Sequence, residues 1–455
     1  MNNSDLLINK KLTGWAKTNS VNCKVFSPIR LSEIKNLVKK SKPKSILPRG
    51  LGRSYGDAAQ IKDKTVINLK NFNRINISKK EKTLRAGAGA SIDQILKLII
   101  PKGYFLSVLP GTSNVTVGGC IASDVHGKNH YIDGSFGSYI LEIKLIDGKG
   151  DIKILKPNHN DPKIRSQFWA TIGGMGLTGI IYEATFRIIE IETSLVSVDT
   201  FRFKDLDSLM KTMIEKEKSY KYIVAWIDSS DKNKRGILTC GTHAKIDQIN
   251  NKEKLKYNPK SKISIPFFLP NGLVNKYTVK LFNFAWYRKY PKIRTKEIQT
   301  ISKFFHPLDG LKNWNRIYGN EGFIQYQFVI PESASYLISK TLEVLKEINA
   351  PSFLTVLKRF GKGNEALLSF PSKGWTLTVD VPASNTSLEN CLNKLDKLIV
   401  KENGKIYLSK DSRQTSEVFF KTYKNFEEWL KIKYEMDPKC IFTSDLAERY
   451  ELFKS

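Results

Sequence analysis

Two glycine-rich stretches hold the residues best suited to chemistry: Pro48–Asp57 (PRGLGRSYGD) and Pro110–Gly137 (PGTSNVTVGGCIASDVHGKNHYIDGSFG). Both are dense in small residues, at spacings that serve neither a helix nor an alternating strand. Glycine admits positive φ and lets a backbone come close to a ligand. Successive bare N–H groups in such turns form concavities that suit phosphate oxygens. With a third stretch at Gly173–Gly179 (GGMGLTG), they predict a long diphosphate-bearing cofactor threaded between several loops. Further along, Gln325 and Gln327 stand two apart in a strand-like run, which puts both amides on one face. Paired amides there suit the hydroxyls of a sugar.

The ordinary nucleotide motifs fail. Gly174–Gly179 formally matches G-x-G-x-x-G, but a β-branched strand pattern follows where a helix should open, and no G-x-x-x-x-G-K-[ST] is present. Phosphate binding is therefore expected to use turns between strands, without a helix start. That resembles flavin cradles of the vanillyl-alcohol-oxidase type.

The elements that must position these loops follow from the pattern. Leu31–Val38 has helical spacing, Ser45–Leu47 reads as a strand entering the first glycine stretch, and Thr65–Leu69 and Lys82–Ala86 read as strands. Ser91 and Gln94 form a capping box for a helix Ile92–Ile100, closed by Pro101 and Gly103. Ile140–Asp147, Asp151–Leu155 and Ile180–Ile189 complete the strands of this part, and Phe168–Ala170 leads into the third glycine stretch. From about Thr193 strand-like runs (Tyr222–Asp228, Phe323–Ile330, Trp375–Val381) alternate with helical ones (Ser333–Ile348, Leu388–Lys401). This predicts an antiparallel sheet with helices on one side. Asn250–Arg294, Pro-punctuated and rich in lysine and aromatics, reads as a mobile or surface-docking segment. Helical runs at Ser416–Leu430 and Ser444–Phe453 return toward the first part. The expected fold class is α+β, with residues 1–192 binding the cofactor, 193–404 binding the substrate and 405–455 closing back on the first unit.

At 455 residues the chain exceeds one ordinary core, which fits two main domains. A hydrophobic fraction of 41% argues against disorder. The formal net charge of +30 invites an anionic partner, yet the cations run along the whole length (Lys39–Lys44, Lys252–Lys262, Lys276–Arg294, Lys431–Lys433). No nucleic-acid motif accompanies them, so a nucleic-acid partner is not expected; an anionic membrane surface stays open. Five scattered cysteines (Cys23, Cys120, Cys240, Cys391, Cys440) without C-x-x-C spacing predict neither a disulfide framework nor a zinc site. No apolar run approaches the roughly 20 residues of a membrane span, and the N-terminus lacks a secretory h-region. The expected location is cytoplasmic, with room for peripheral contact at the inner membrane.

PRGLGRSYGD, LPGTSNVTVGGCIASDVHGKNH, GSFG and FWATIGGMGLTGII closely resemble the decaprenylphosphoryl-ribose 2-oxidase family of FAD-dependent enzymes. The likeness continues in order through LTGW (Leu12–Trp15), FLPNGLVNKYT (Phe268–Thr278), WYRK (Trp286–Lys289), HPLD (His306–Asp309), FIQYQFVIP (Phe323–Pro331), FGKGNEALLSFPSKGW (Phe360–Trp375) and YLSKDSR (Tyr407–Arg413). It implies FAD contacts at Pro48, Arg49, Gly50, Leu51, Gly52, Arg53, Ser54, Tyr55, Gly56 and Asp57. It implies more at Gly111, Thr112, Thr116, Val117, Gly118, Gly119, Ser123, Asp124, Val125 and His126, then at Ile181 and Tyr407. On the substrate side it implies His126, Lys128, Gln325, Gln327, Lys358, Thr378, Asp380 and Lys410. Related flavoenzymes often attach FAD through a His in the first loop; here that loop has Tyr55 and no His, so the flavin is expected to be non-covalent. Thr378 stands where the best-known members have a cysteine, so inhibitors that need that thiol should fail here.

The implied chemistry is oxidation of a secondary hydroxyl on a polyprenyl-phosphate-linked pentose, the first half of a 2-epimerisation. Hydride leaves to flavin N5 while a base takes the hydroxyl proton. Lys410, as base or anchor, and Tyr55, as rival acceptor, are the catalytic candidates. A short-chain reductase partner would reduce the keto sugar. Two alternatives stand beside this one: an alditol or aldonolactone oxidase turning over free sugars with dioxygen, and a non-catalytic polyanion binder driven by charge.

Overall fold

The structure, a computed structural model, describes residues 7–249, 254–259 and 263–453. Residues 250–253 and 260–262 of the expected mobile segment lie outside them. A four-stranded sheet runs in the order Ile8–Thr13, Ser20–Phe26, Thr65–Asn68, Ile46–Arg49, and its last three strands are parallel. A six-stranded sheet centres on Ile180–Glu190 between Thr83–Gly87 and Ile140–Ile146. Ile75–Ser78 and Ile152–Leu155 form its edges, and Tyr104–Leu106 adds to the central strand. The third sheet has eight strands: Ile293–Thr300, Leu195–Phe203, Gly236–His243, Tyr222–Ile227, Thr355–Phe360, Gly374–Pro382, Phe323–Ile330 and Lys405–Ile406. Every neighbouring pair in it is antiparallel.

Two main cores organise these sheets. The first joins the four- and six-stranded sheets and takes in Phe419, Trp429 and Phe453 from the C-terminal residues. The second covers one face of the eight-stranded sheet with apolar residues of the helices Leu206–Lys216, Tyr336–Glu347 and Leu388–Lys401. After its short edge strand at Lys405–Ile406, the chain leaves the third sheet and packs back on the first core. There Trp429 Nε1 donates to Ala170 O at 2.9 Å, and Phe442 bridges Ile46.

Several elements form as the pattern predicts. Strand Phe323–Ile330 and helix Leu388–Lys401 span the expected residues, and Ser91 and Gln94 cap helix Ile92–Ile99 reciprocally. Others differ. The second glycine stretch contains a short helix, Val117–Ala122, whose Thr116 Oγ1 accepts from Gly119 N at 3.3 Å; its two glycines hid it. Pro162–Thr171 is a helix with Pro at its first position, capped by Asp161, where only an approach to the third loop was expected. The expected run Ser416–Leu430 is two helices, Ser416–Thr422 and Phe426–Met436, parted where Tyr423 leaves helical geometry. Inside the expected mobile segment lies a 14-residue helix, Lys276–Lys289, anchored through Val279, Asn283 and Tyr287.

Candidate active site

On strand Phe323–Ile330, Tyr326, Phe328 and Ile330 enter the second core, so Gln325 and Gln327 turn to the opposite face. Strand register then sets Gln325 against Asp380, Gln327 against Thr378, and Lys358 against Thr376. Six polar side chains thus share one face of the sheet, and all but Lys358 are buried. A buried polar surface is costly unless its members satisfy one another. Here they largely do. Gln325 Nε2 donates to Asp380 Oδ1 at 2.5 Å, and Gln327 Nε2 lies 3.2 Å from Thr376 Oγ1. Asp380 Oδ2 is buried with no partner, an acceptor left for something the protein itself does not supply.

His126, from the second glycine stretch, meets this face. Its Nδ1 lies 3.1 Å from Lys358 Nζ and its Nε2 3.1 Å from Gln327 Nε2. Burial, then Lys358, holds His126 well below the ordinary imidazole range, so the ring is neutral. A neutral imidazole with Lys358 donating to Nδ1 carries its proton on Nε2, so the Gln327 amide reads correctly with its oxygen toward the ring. Lys358 itself is lowered to about 7 by burial, with Lys128 and Lys410 adding to the effect. Lys128 is lowered to about 8 by burial, and its Nζ donates to Phe305 O at 3.0 Å.

Lys410 and Tyr55 arrive from a different direction. The turn Tyr407–Asp411 rests on the first glycine stretch: Tyr55 N donates to Ser409 O at 2.9 Å, and any side chain at position 56 would collide with Asp411 O. Gly56 is therefore required by close approach. Tyr407 is itself fixed, its N donating to Gln327 O at 2.9 Å and its hydroxyl to Ser123 O at 3.0 Å. Lys410 Nζ lies 3.7 Å from the centre of the Tyr55 ring. Burial pushes the Lys410 amine down, against the pull of Asp380, and pushes Asp380 up. Burial, with Asp380 second, drives the Tyr55 phenol well above its ordinary value, against a hydrogen bond with Gln325.

The fit of a dinucleotide can be tested on the glycine loops. Among the described residues, the amides of Leu51, Gly52, Arg53 and Ser54 find no acceptor within the chain, nor do those of Gly111 and Thr112. The two loops touch, since Arg53 Nε donates to Asn114 O at 3.1 Å and Gly50 packs on Thr116. A Cβ placed on Gly111 would meet nothing within 4 Å. Adjoining loops with unpaired donors facing open space suit a diphosphate. The residues fit FAD.

The third glycine stretch does something else. Gly173 N and Met175 N donate to Ile121 O and Ala122 O, so it braces the short helix Val117–Ala122 and offers these amides to no phosphate. Several expected contact residues likewise have side chains committed to the scaffold. Arg49 donates to Thr13 O and Ala59 O, Asp57 pairs with Arg449, and Asp124 accepts from Ser135, Gly137 N, Asn364 and Ser369. Val117 is core, Val125 packs against it, and Ile181 is buried in the central strand of the six-stranded sheet. Only the backbone of Arg49 and Asp57 can serve a ligand. Of the remaining positions, Pro48 lies in strand Ile46–Arg49, Gly118 and Gly119 in helix Val117–Ala122, and Ser123 caps that helix.

Two contributors escaped the sequence reading. Thr376 lies two residues before Thr378, and the strand period alone could have placed it on the polar face. Asp309, within HPLD, ties the substrate side to the second glycine loop. Its carboxylate accepts from Thr112 Oγ1 at 2.6 Å, Ser113 N at 2.7 Å and Ser113 Oγ at 2.8 Å. No local pattern announces that contact.

Residues 24–156 match the family described as FAD binding domain. Together with the antiparallel sheet facing its loops, this makes the chain an FAD-dependent oxidoreductase of the vanillyl-alcohol-oxidase fold, acting on a hydroxyl group. Over 97% of its length it is 38% identical to the decaprenylphosphoryl-beta-D-ribose oxidase of Mycolicibacterium smegmatis, covering 98% of that protein. The chain belongs to the decaprenylphosphoryl-ribose oxidase family. It is also 29% identical, over 80% of its length, to an uncharacterized protein of Streptomyces coelicolor, all of which is covered. A D-arabinono-1,4-lactone oxidase of Kluyveromyces lactis is 30% identical over only 36% of this chain and 31% of its own length.

Proposed function

We propose that the chain oxidises the 2-hydroxyl of a pentose linked through phosphate to a polyprenyl lipid. Residues 1–192 and 405–455 carry the cofactor in this reading, and 193–404 the sugar. One observation supports it above the others: Lys128, Lys358 and Lys410 converge on a buried polar face, and the carboxylate that acts on Lys410 there is Asp380. A phosphodiester supplies the missing negative charge, and Gln325 and Gln327 suit the sugar hydroxyls. The D-arabinono-1,4-lactone oxidase of Kluyveromyces lactis, by contrast, matches over only 36% of this chain.

FAD, when bound, supplies an acceptor for the hydride released from the carbinol carbon. The protein's part is to remove the hydroxyl proton and hold the sugar still. A phenol raised by burial keeps its proton at neutral pH, so Tyr55 is a poor acceptor. An amine lowered by burial can be neutral and accept one, which favours Lys410 as the base. Tyr55 then serves as the surface against which Lys410 is placed. Lys358 and Lys128 hold the phosphodiester, and neutral His126 orients Lys358. Thr378, beside Gln327, contacts the sugar without acting as a nucleophile.

Among the described residues no helix is long and apolar enough to cross a membrane. A polyprenyl tail stays in a bilayer, so the enzyme works as a peripheral protein at the inner membrane. A short-chain reductase completes the epimerisation. The test is anaerobic reduction over a panel of prenyl-phosphoryl pentoses, free pentoses and aldonolactones. Rapid bleaching by a ribose-bearing lipid phosphate alone is expected; equal bleaching by the free sugars would overturn the substrate assignment.

A further inference from the structure

Helix Lys276–Lys289 leaves large apolar side chains in water that an ordinary surface helix would bury. Its inward side is fixed: Val279 is buried, Asn283 Nδ2 donates to Asp228 Oδ1 at 2.9 Å and to Ser352 O at 3.1 Å, and the Tyr287 hydroxyl donates to Phe203 O at 3.1 Å. Its outward side carries Tyr277 at 72% exposure, Leu281 at 70% and Phe284 at 42%, spaced to share one face. On the preceding strap Phe267 (64%) and Leu273 (45%) are exposed as well. Soluble proteins rarely leave such a contiguous apolar surface in water without a partner for it.

The charge of this segment has one sign, and the acid found against it is Glu321, which accepts from Asn271 Nδ2 at 3.1 Å. Residues 263–296 contain seven Lys or Arg and no Asp or Glu. On the helix, Arg288 stacks over Phe284 at 4.3 Å and Lys289 over Trp286 at 4.8 Å, so cations stand beside the rings. A two-fold contact between copies of this face would set the cations of one helix against those of the other. An anionic lipid surface satisfies both features at once, taking the apolar side chains below the headgroups and the cations among them. The face is also continuous with the active site. Phe282 packs on Phe353, Phe353 on Tyr318, Tyr318 on Phe323 and Phe323 on Tyr55.

We propose that the outward face of helix Lys276–Lys289, with the strap at Phe267–Leu273, docks the enzyme on a bilayer rich in anionic lipid. This deepens the membrane-borne substrate proposed above and names the surface that meets the membrane. Tyr287 takes no part, because that ring is buried and bonded inward. Docking here sets the bilayer against the aromatic cluster that walls the Tyr55 side of the site.

The experiment is sedimentation of the FAD-loaded protein with phosphatidylglycerol vesicles and with phosphatidylcholine vesicles. Binding to the former is expected to exceed the latter by more than tenfold and to weaken with salt. The double substitution Leu281→Glu, Phe284→Glu should lower it at least tenfold, and Lys280→Glu about fivefold. Flavin content and melting temperature should stay unchanged, since these side chains face outward. Ile154→Asn, on an exposed strand elsewhere, should bind like the parent. Unchanged binding by the double variant overturns the proposal, as does failure to bind anionic vesicles. A dimer that the double variant dissociates would assign the face to a second copy and overturn it too. Vesicle binding consumes no sugar, so its failure leaves the substrate reading intact, and failure of the substrate panel leaves this one intact.

Discussion

Lys410 Nζ stands 3.7 Å from the centre of the Tyr55 ring, an ammonium or amine seated on a buried phenol from the far end of the chain. The ring face attracts the charged form, the burial opposes it, and Asp380 helps to retain it. The amine is thus poised between two protonation states, as a base working near neutrality has to be.

Replacing Lys410 with Met should leave FAD bound, because the flavin loops do not depend on the amine. Reduction by substrate should fall by about 10²–10⁴. Tyr55→Phe should cost less than about tenfold, since the ring that supports Lys410 remains. Stopped-flow bleaching of both variants is the measurement. A fast Lys410→Met enzyme would remove Lys410 from the proton step.

The pH profile has a definite sign. Below its lowered pKa Lys410 is protonated and cannot accept a proton, so kcat/KM should fall toward acid. Asp380 raises the Lys410 pKa. With Asp380→Asn that support goes, and the acid limb should move to lower pH by about one unit. Profiles for parent and variant check this, and an unmoved limb would separate Asp380 from the titration.

Asp309→Ala should loosen the cofactor. Its three hydrogen bonds hold Thr112 and Ser113 beside the first glycine loop. Bonds to a charged acceptor are worth about 1.5–3 kcal/mol each, so FAD affinity should weaken at least about tenfold even with partial compensation. Fluorescence titration of the stripped protein reads the change. Acid precipitation of the parent should release all the flavin, because the first loop has no histidine and both His126 nitrogens are engaged.

Thr378→Cys should create a reactive position that the parent lacks. All five native cysteines are buried, and Cys120 is pushed up by burial, so they react poorly. Residue 378 faces the site next to Gln327. Electrophiles that label an active-site thiol should modify the variant at that residue and be displaced by substrate. Peptide mass mapping distinguishes this from general labelling.

Arg449→Ala tests the closure of the C-terminal residues. Arg449 pairs with Asp57 at 2.7 Å and with Asp411 at 2.7 Å, both largely buried. Burial raises Asp411, but Arg449, Tyr450, Arg413 and the Gln414 amide hold it below the ordinary carboxylate range. Removing the guanidinium strands two carboxylates, at a cost of about 3–5 kcal/mol. Urea unfolding of the holoenzyme should show that loss.

Elements with strong periodicity were legible in the chain. The strand Phe323–Ile330 alternates amide and apolar residues, and the same alternation put Gln325 and Gln327 together on the site face. The glycine loops that fit FAD stood out because their spacing serves neither a helix nor an alternating strand. What stayed hidden depends on contacts distant in sequence. Nothing near Asp309 shows that it reaches Ser113, 196 residues earlier. The helix Val117–Ala122 was masked by its glycines, and the third glycine stretch looked like a phosphate cradle while its amides brace that helix.

The return of the polypeptide after Ile406 also fixes a timetable for biogenesis. The loop at Asp57 is secured by a guanidinium 392 residues later, and the amine proposed as base lies in the same closing stretch. A nascent chain still on the ribosome holds a half-built flavin cradle and no Lys410 in place. Holoenzyme assembly must therefore wait until Arg449 has been made, and a nonsense codon anywhere before Arg449 should yield a colourless polypeptide, however well its eight-stranded sheet has formed.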